Sequence, residues 1–185
     1  MSPLMFVFIF FLFICFIEDL LSFKNKLNTG LSSNQKILLQ SLISLIFILI
    51  CASNNLIPQN IQIANKVFNI GNLIYPLGIF VLLAESNSTN LTDGLDGLLS
   101  GCSVLIFTGL AISILIENPS NNSTLAPLCI AMAGACMGFL FLNKYPAKLF
   151  MGDSGSLAIG ASLGGIALIS NHLHKNILFV HYGLK

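Results

Sequence analysis

Six apolar runs, at residues 3–22, 37–52, 73–84, 97–116, 125–142 and 156–173, are joined by polar connections too short to form domains. In hydrocarbon every backbone N–H and C=O must be paired inside the protein, and a helix needs roughly 20 residues to cross. The pattern therefore predicts an all-α, polytopic transmembrane helix bundle of about six helices, forming a single transmembrane domain over 1–185 with the lipid bilayer as its solvent. The third run is short and interrupted by Pro76 and Gly78, so it must recruit polar flanks or bend inside the bundle. A chain that is 55% hydrophobic and 8% charged, with a mean hydropathy of +0.88, is too apolar for an ordinary soluble domain. Its cations are eight lysines and no arginine against seven acids, which leaves no basic stripe for nucleic acid; that class is excluded. Cys15, Cys51, Cys102, Cys129 and Cys136 stand singly in apolar runs without a C-x-x-C pair and read as buried small side chains. The first run lacks a basic leader and a small-residue cleavage site, so it reads as a retained helix.

Lysine placement orients the bundle, because cytoplasmic loops retain an excess of positive residues. Lys24, Lys26 and Lys36 lie between the first two runs and Lys144 and Lys148 between the last two, whereas the second connection has only Lys66 and the fourth has none. With the lysine-rich side cytoplasmic, alternating crossings bring Glu18, Asp19, Glu85, Asp93, Asp96 and Asp153 to that same side and leave only Glu117 opposite. Orientation comes from the lysines alone, so the gathering of acids is an independent result. Gly134-x-x-x-Gly138 and Gly160-x-x-x-Gly164 are spacings that let helices approach closely in lipid.

Three acidic segments then point to chemistry. In NSTNLTDGLDG at 87–97, Asn87, Asn90, Asp93 and Asp96 recur every three residues, so a helical stretch would align neighbours on one face. Gly94 and Gly97 add little bulk and would let a ligand approach the backbone. FMGDSGS at 150–156 feeds the last helix, with Asp153 or Ser154 able to cap it. Helix N-termini here would turn free N–H groups towards the acids' compartment, an arrangement suited to phosphate. Glu18 and Asp19 fall at the C-terminal end of the first helix, where acids oppose the dipole. Two carboxylates roughly 5 Å apart repel by about 3 kcal/mol at an effective dielectric of about 20, so a converged cluster needs a cation. Carboxylates without nearby His or Cys clusters favour Mg²⁺ or Mn²⁺ over zinc. The residues thus predict a Mg²⁺–phosphate site without naming a substrate.

The segments NLTDGLDGL at 90–98, NKYPAKLFMGDSGS at 143–156 and GLSSNQK at 30–36 resemble the polyprenyl-phosphate N-acetylhexosamine-1-phosphate transferases over most of the chain. That resemblance implies transfer of phospho-N-acetylmuramoyl-pentapeptide from UDP to undecaprenyl phosphate, giving lipid I and UMP with Mg²⁺ required. It also implies a multi-pass protein of the bacterial inner (plasma) membrane with a cytoplasmic active site, serving peptidoglycan synthesis; a second copy of the chain is a candidate partner. By the same resemblance Asp93 and Asp153 are the metal carboxylates, Asn90 and Asp96 contact the nucleotide, Phe150 stacks on uracil and Asn143 lines that site. Glu18 and Asp19 take the family's paired-aspartate position, with proposed roles in deprotonating the lipid phosphate or in nucleophilic attack. Direct attack by the lipid phosphate is the simpler scheme, since phosphoryl transfer is helped chiefly by positioning and charge neutralisation.

The chain departs from the family pattern in places. Glu18 is one methylene longer than the usual aspartate, and His172, His174 and His181 do not reproduce the family's triple-histidine motif. Helices that the family carries before the paired acids and after the last run have no counterpart, so the chain reads as an internal fragment, expected to be inactive alone. Within the family the rival is an N-acetylglucosamine-1-phosphate transferase of polysaccharide synthesis. A transporter's ion pathway would place carboxylates at mid-bilayer, whereas these flank helix ends, and a non-catalytic assembly partner is the third reading.

Overall fold

The computed structural model describes residues 3–25, 32–63, 66–117 and 124–170. Six helices carry most of them: α1 (Pro3–Asn25), α2 (Ser33–Ser53), α3 (Ile74–Thr92), α4 (Leu98–Glu117), α5 (Leu125–Asn143) and α6 (Gly152–Ser170). Each apolar run has become one helix, and the chain is an all-α membrane protein. Among the described residues α2, α4, α5 and α6 are long and apolar enough to cross a bilayer on their own. α3 reaches eight residues beyond its apolar run, because the polar stretch from Glu85 to Thr92 continues the helix. The connection before it holds an antiparallel hairpin, β1 (Asn60–Ile63) with β2 (Lys66–Asn69), pairing Asn60 with Asn69 and Ile63 with Lys66.

The chain divides into two compact units, one of residues 1–90 with 152–185 and one of residues 91–151. The first is organised around α6, which is buried continuously from Ser156 to Leu168. Such burial on every side requires a helix of small residues, and α6 supplies glycine, alanine and serine where its neighbours come nearest. A Cβ on Gly160 would collide with Thr89 Oγ1 and Glu85 O of α3 and lie 2.6 Å from Ser86 Cα. On Gly164 it would stand 3.3 Å from Leu82, and on Gly165 it would stand 2.8 Å from Leu4 of α1. The Gly160-x-x-x-Gly164 spacing is thus the seam on which α3 sits. α1 packs against α6 and α2, with Leu4, Val7, Phe11 and Cys15 buried at helical spacing.

The second unit pairs α4 with α5. α4 buries Leu99, Ser103, Phe107, Leu110 and Ile114, and α5 buries Ala126, Cys129, Ala133 and Cys136. The small stripe that α5 uses for packing is therefore alanine and cysteine; Gly134 and Gly138 meet nothing within 4 Å. The five cysteines are free, and Cys15, Cys51, Cys129 and Cys136 are buried, as their apolar surroundings predict. Leu38, Leu105, Ile116 and Phe141 are more than half exposed, as side chains facing lipid would be.

Candidate active site

Three helix ends in the first unit build a polar cluster. α2 starts at a capping box in which Ser32 Oγ accepts from the Gln35 N–H at 3.4 Å and Gln35 Oε1 accepts from the Ser32 N–H at 3.0 Å. This start places Lys36 in the first turn of α2. A cation there opposes the helix dipole, whereas Asp153, in the first turn of α6, complements its own. The two meet, with Lys36 Nζ donating to Asp153 Oδ2 at 2.6 Å. Their side chains are 24% and 41% exposed, so solvent screens the pair and its worth to stability is no more than about 1 kcal/mol. Its importance is where it holds charge.

Asn90, in the last turn of α3, completes the cluster. Its Nδ2 donates to Asp153 Oδ1 at 2.8 Å and to Ser156 Oγ at 2.9 Å. Ser156 is fully buried one turn along α6 and donates to Gly152 O at 3.0 Å. Thr89 Oγ1 lies 2.9 Å from Ser156 O, and Asn87 Nδ2 donates to Gln40 Oε1 of α2 at 2.8 Å. Gly152 permits the sharp entry into α6 through its φ of +71°.

The second unit has its own polar cluster. Asn143, the last residue of α5, is 2% exposed. Its Oδ1 accepts from the Gly97 N–H at 3.0 Å and from Ser100 Oγ at 2.9 Å, and its Nδ2 donates to Leu149 O at 3.0 Å. Asp96 Oδ2 accepts from the Ala147 N–H at 2.9 Å. Asp93 stands half-buried in the turn between α3 and α4, and Phe150 is 71% exposed on the loop after α5.

Not every expected alignment is realised. α3 ends at Thr92, so Asn87 and Asn90 lie on one helical face while Asp93 and Asp96 belong to the following turn. α6 begins at Gly152, which puts Asp153 inside its first turn rather than at the cap. α1 continues to Asn25, so Glu18 and Asp19 stand before its last turn; their side chains, like all of His172, His174 and His181, lie outside the described residues. Lys36 and Ser156 join the cluster, although sequence reasoning, which quotes both inside motifs, gives neither a role there. Ser156 carries a signal that could find it, being three residues beyond Asp153 on one helix.

The described side chains form no group of three or more His, Cys, Asp or Glu able to hold a metal. The donor chemistry at Asp153 nevertheless fits a hard divalent ion. Asp153 offers hard carboxylate oxygens, the donor type Mg²⁺ prefers, and here they are engaged by Lys36 Nζ and Asn90 Nδ2.

The model of glycosyl transferase family 4 matches residues 1–171, and the chain belongs to that family. It is 95% identical over 170 residues to a phospho-N-acetylmuramoyl-pentapeptide-transferase of Prochlorococcus marinus strain NATL2A, covering 92% of this chain and 46% of that protein. Proteins of the same name from Prochlorococcus marinus strain SARG and Synechococcus sp. strain CC9605 are 50% and 49% identical over 164 residues, each covering 88% of this chain. The matches cover 44% and 47% of those two proteins, so the chain spans about half the length of the curated relatives it matches.

Proposed function

We propose that this chain carries the metal- and uridine-binding part of a phospho-N-acetylmuramoyl-pentapeptide transferase, which moves that group from UDP to undecaprenyl phosphate and yields lipid I and UMP at the cytoplasmic face of a bacterial inner membrane. The observation that carries the reading is the meeting of three motifs distant in sequence: Lys36 of GLSSNQK and Asn90 of NLTDGLDGL both bond Asp153 of FMGDSGS. The relatives' shared name supports the donor over N-acetylglucosamine phosphate.

In this reading Asp153 would hold Mg²⁺, which when bound would neutralise diphosphate charge, and the family resemblance gives Asp93 the same part. Asn90 keeps the Asp153 carboxylate oriented through one amide hydrogen while its other anchors on Ser156. Lys36 adds a positive charge beside the phosphates, where developing charge is best met by groups already in place. Asp96 and Phe150 serve the uridine end, and the family resemblance assigns Asp19 and Glu18 to the lipid phosphate.

The test is to exchange residues 1–170 into the 95% identical Prochlorococcus protein and to follow lipid I and UMP from UDP-MurNAc-pentapeptide or UDP-GlcNAc, with undecaprenyl phosphate and Mg²⁺. The expected result is turnover of the muramoyl donor alone, abolished by Asp153→Asn. Preference for UDP-GlcNAc, or turnover that ignores Asp153, would defeat the reading.

A further inference from the structure

We infer that Ser100, acting through Asn143, is a positioning residue for the nucleotide end of the site: a buried hydroxyl–amide clasp sets the loop that presents Phe150. The inference rests on the proposed uridine reading and adds to it a residue that touches no substrate.

Three groups from two separate stretches of chain converge on the Asn143 amide. They are the Gly97 N–H in the turn before α4, Ser100 Oγ in the first turn of α4, and Leu149 O just before Phe150. Ser100 is 0% exposed and Asn143 2%, so these bonds are sheltered from water and each is costly to leave unmade. The backbone is shaped to let them form. Gly97 has a φ of +75°, and a Cβ there would stand 3.3 Å from Leu140 and 3.4 Å from Lys144 Cα. Two further bonds secure the loop's middle, Ala147 N–H to Asp96 Oδ2 at 2.9 Å and Lys148 N–H to Leu142 O at 2.8 Å.

Against this anchored backbone Tyr145, Leu149 and Phe150 remain 85%, 48% and 71% exposed. A large ring held outward by a loop whose backbone is tied at several points is ready to stack on a planar base, because the ordering has been done before the ligand arrives. Asn143 therefore acts on the base through Leu149 and Phe150. Ser100 supplies the sheltered donor that keeps the Asn143 amide in the required orientation.

The experiment uses the 185-residue chain in detergent, titrated calorimetrically with UMP, alongside thermal unfolding. Ser100→Ala should weaken UMP binding about three- to tenfold, the range expected for one sheltered hydrogen bond. Phe107→Leu, a buried change elsewhere on α4, lowers stability without touching the clasp and should bind UMP as the wild type does. Wild-type affinity in Ser100→Ala, or an equal loss in Phe107→Leu at matched destabilisation, overturns the inference while leaving the uridine reading intact. A wild-type chain that binds no UMP overturns the uridine reading and the clasp's role with it.

Discussion

Asp153 is the residue on which charge, helix geometry and sequence motif agree. Both of its oxygens are engaged, by Lys36 and Asn90, and it sits where a helix start favours an anion. Asp153→Asn should keep the fold but weaken Mn²⁺ binding at least about tenfold, read by electron paramagnetic resonance, since a neutral amide removes a carboxylate ligand. Lys36→Met separates stability from function. It should shift unfolding free energy by less than about 1 kcal/mol, as for other screened pairs, while lipid I formation by the exchanged protein falls at least about tenfold if its charge serves the phosphates. Asp153 and Asn90 are legible in the sequence because they belong to dense polar motifs. The pairing of Lys36 is not, because its partner is 117 residues away and no local periodicity connects α2 to α6.

At the scale of elements, the apolar runs are readable because a helix in lipid must be long and apolar, and the structure adds only small shifts at their ends. The exceptions have physical causes. The end of α3 is polar because it is spent on neighbours: Asn87 reaches α2, and Thr89 and Asn90 reach α6. The hairpin at 60–69 escapes a sequence reading because its two four-residue strands are too short to show alternation clearly among asparagines. Glycine spacing alone cannot tell the α6 seam from the open glycines of α5, since only packing distinguishes them. The distinction is measurable. Gly160→Ala should destabilise by about 1–3 kcal/mol through overpacking against α3, whereas Gly134→Ala should be neutral or slightly stabilising, by up to about 1 kcal/mol, through helix propensity. Thermal unfolding of both variants in the same detergent is the comparison.

For the whole molecule, the alternation of helices and the lysine bias together set the expected topology. The lysine-rich connections should be cytoplasmic. In a cysteine-free background, Ser32→Cys should react with an impermeant maleimide from the cytoplasmic face and Thr124→Cys from the opposite face. Labelling of both from one side would break the topology. Lipid-facing side chains such as Leu105 and Ile116 make the chain dependent on a bilayer or detergent for solubility, and their exposure is no defect of packing.

The α6 seam also constrains how this chain can vary. Asp153 and Gly160 are seven residues apart, close to two full helical turns, so acid and seam point the same way. Adding or deleting one residue between them would swing the carboxylate about 100° around the helix axis while α3 still gripped the glycines. A change of length in this stretch would therefore part the carboxylate from the seam, in addition to the limits that burial from Ser156 onward sets on its side chains.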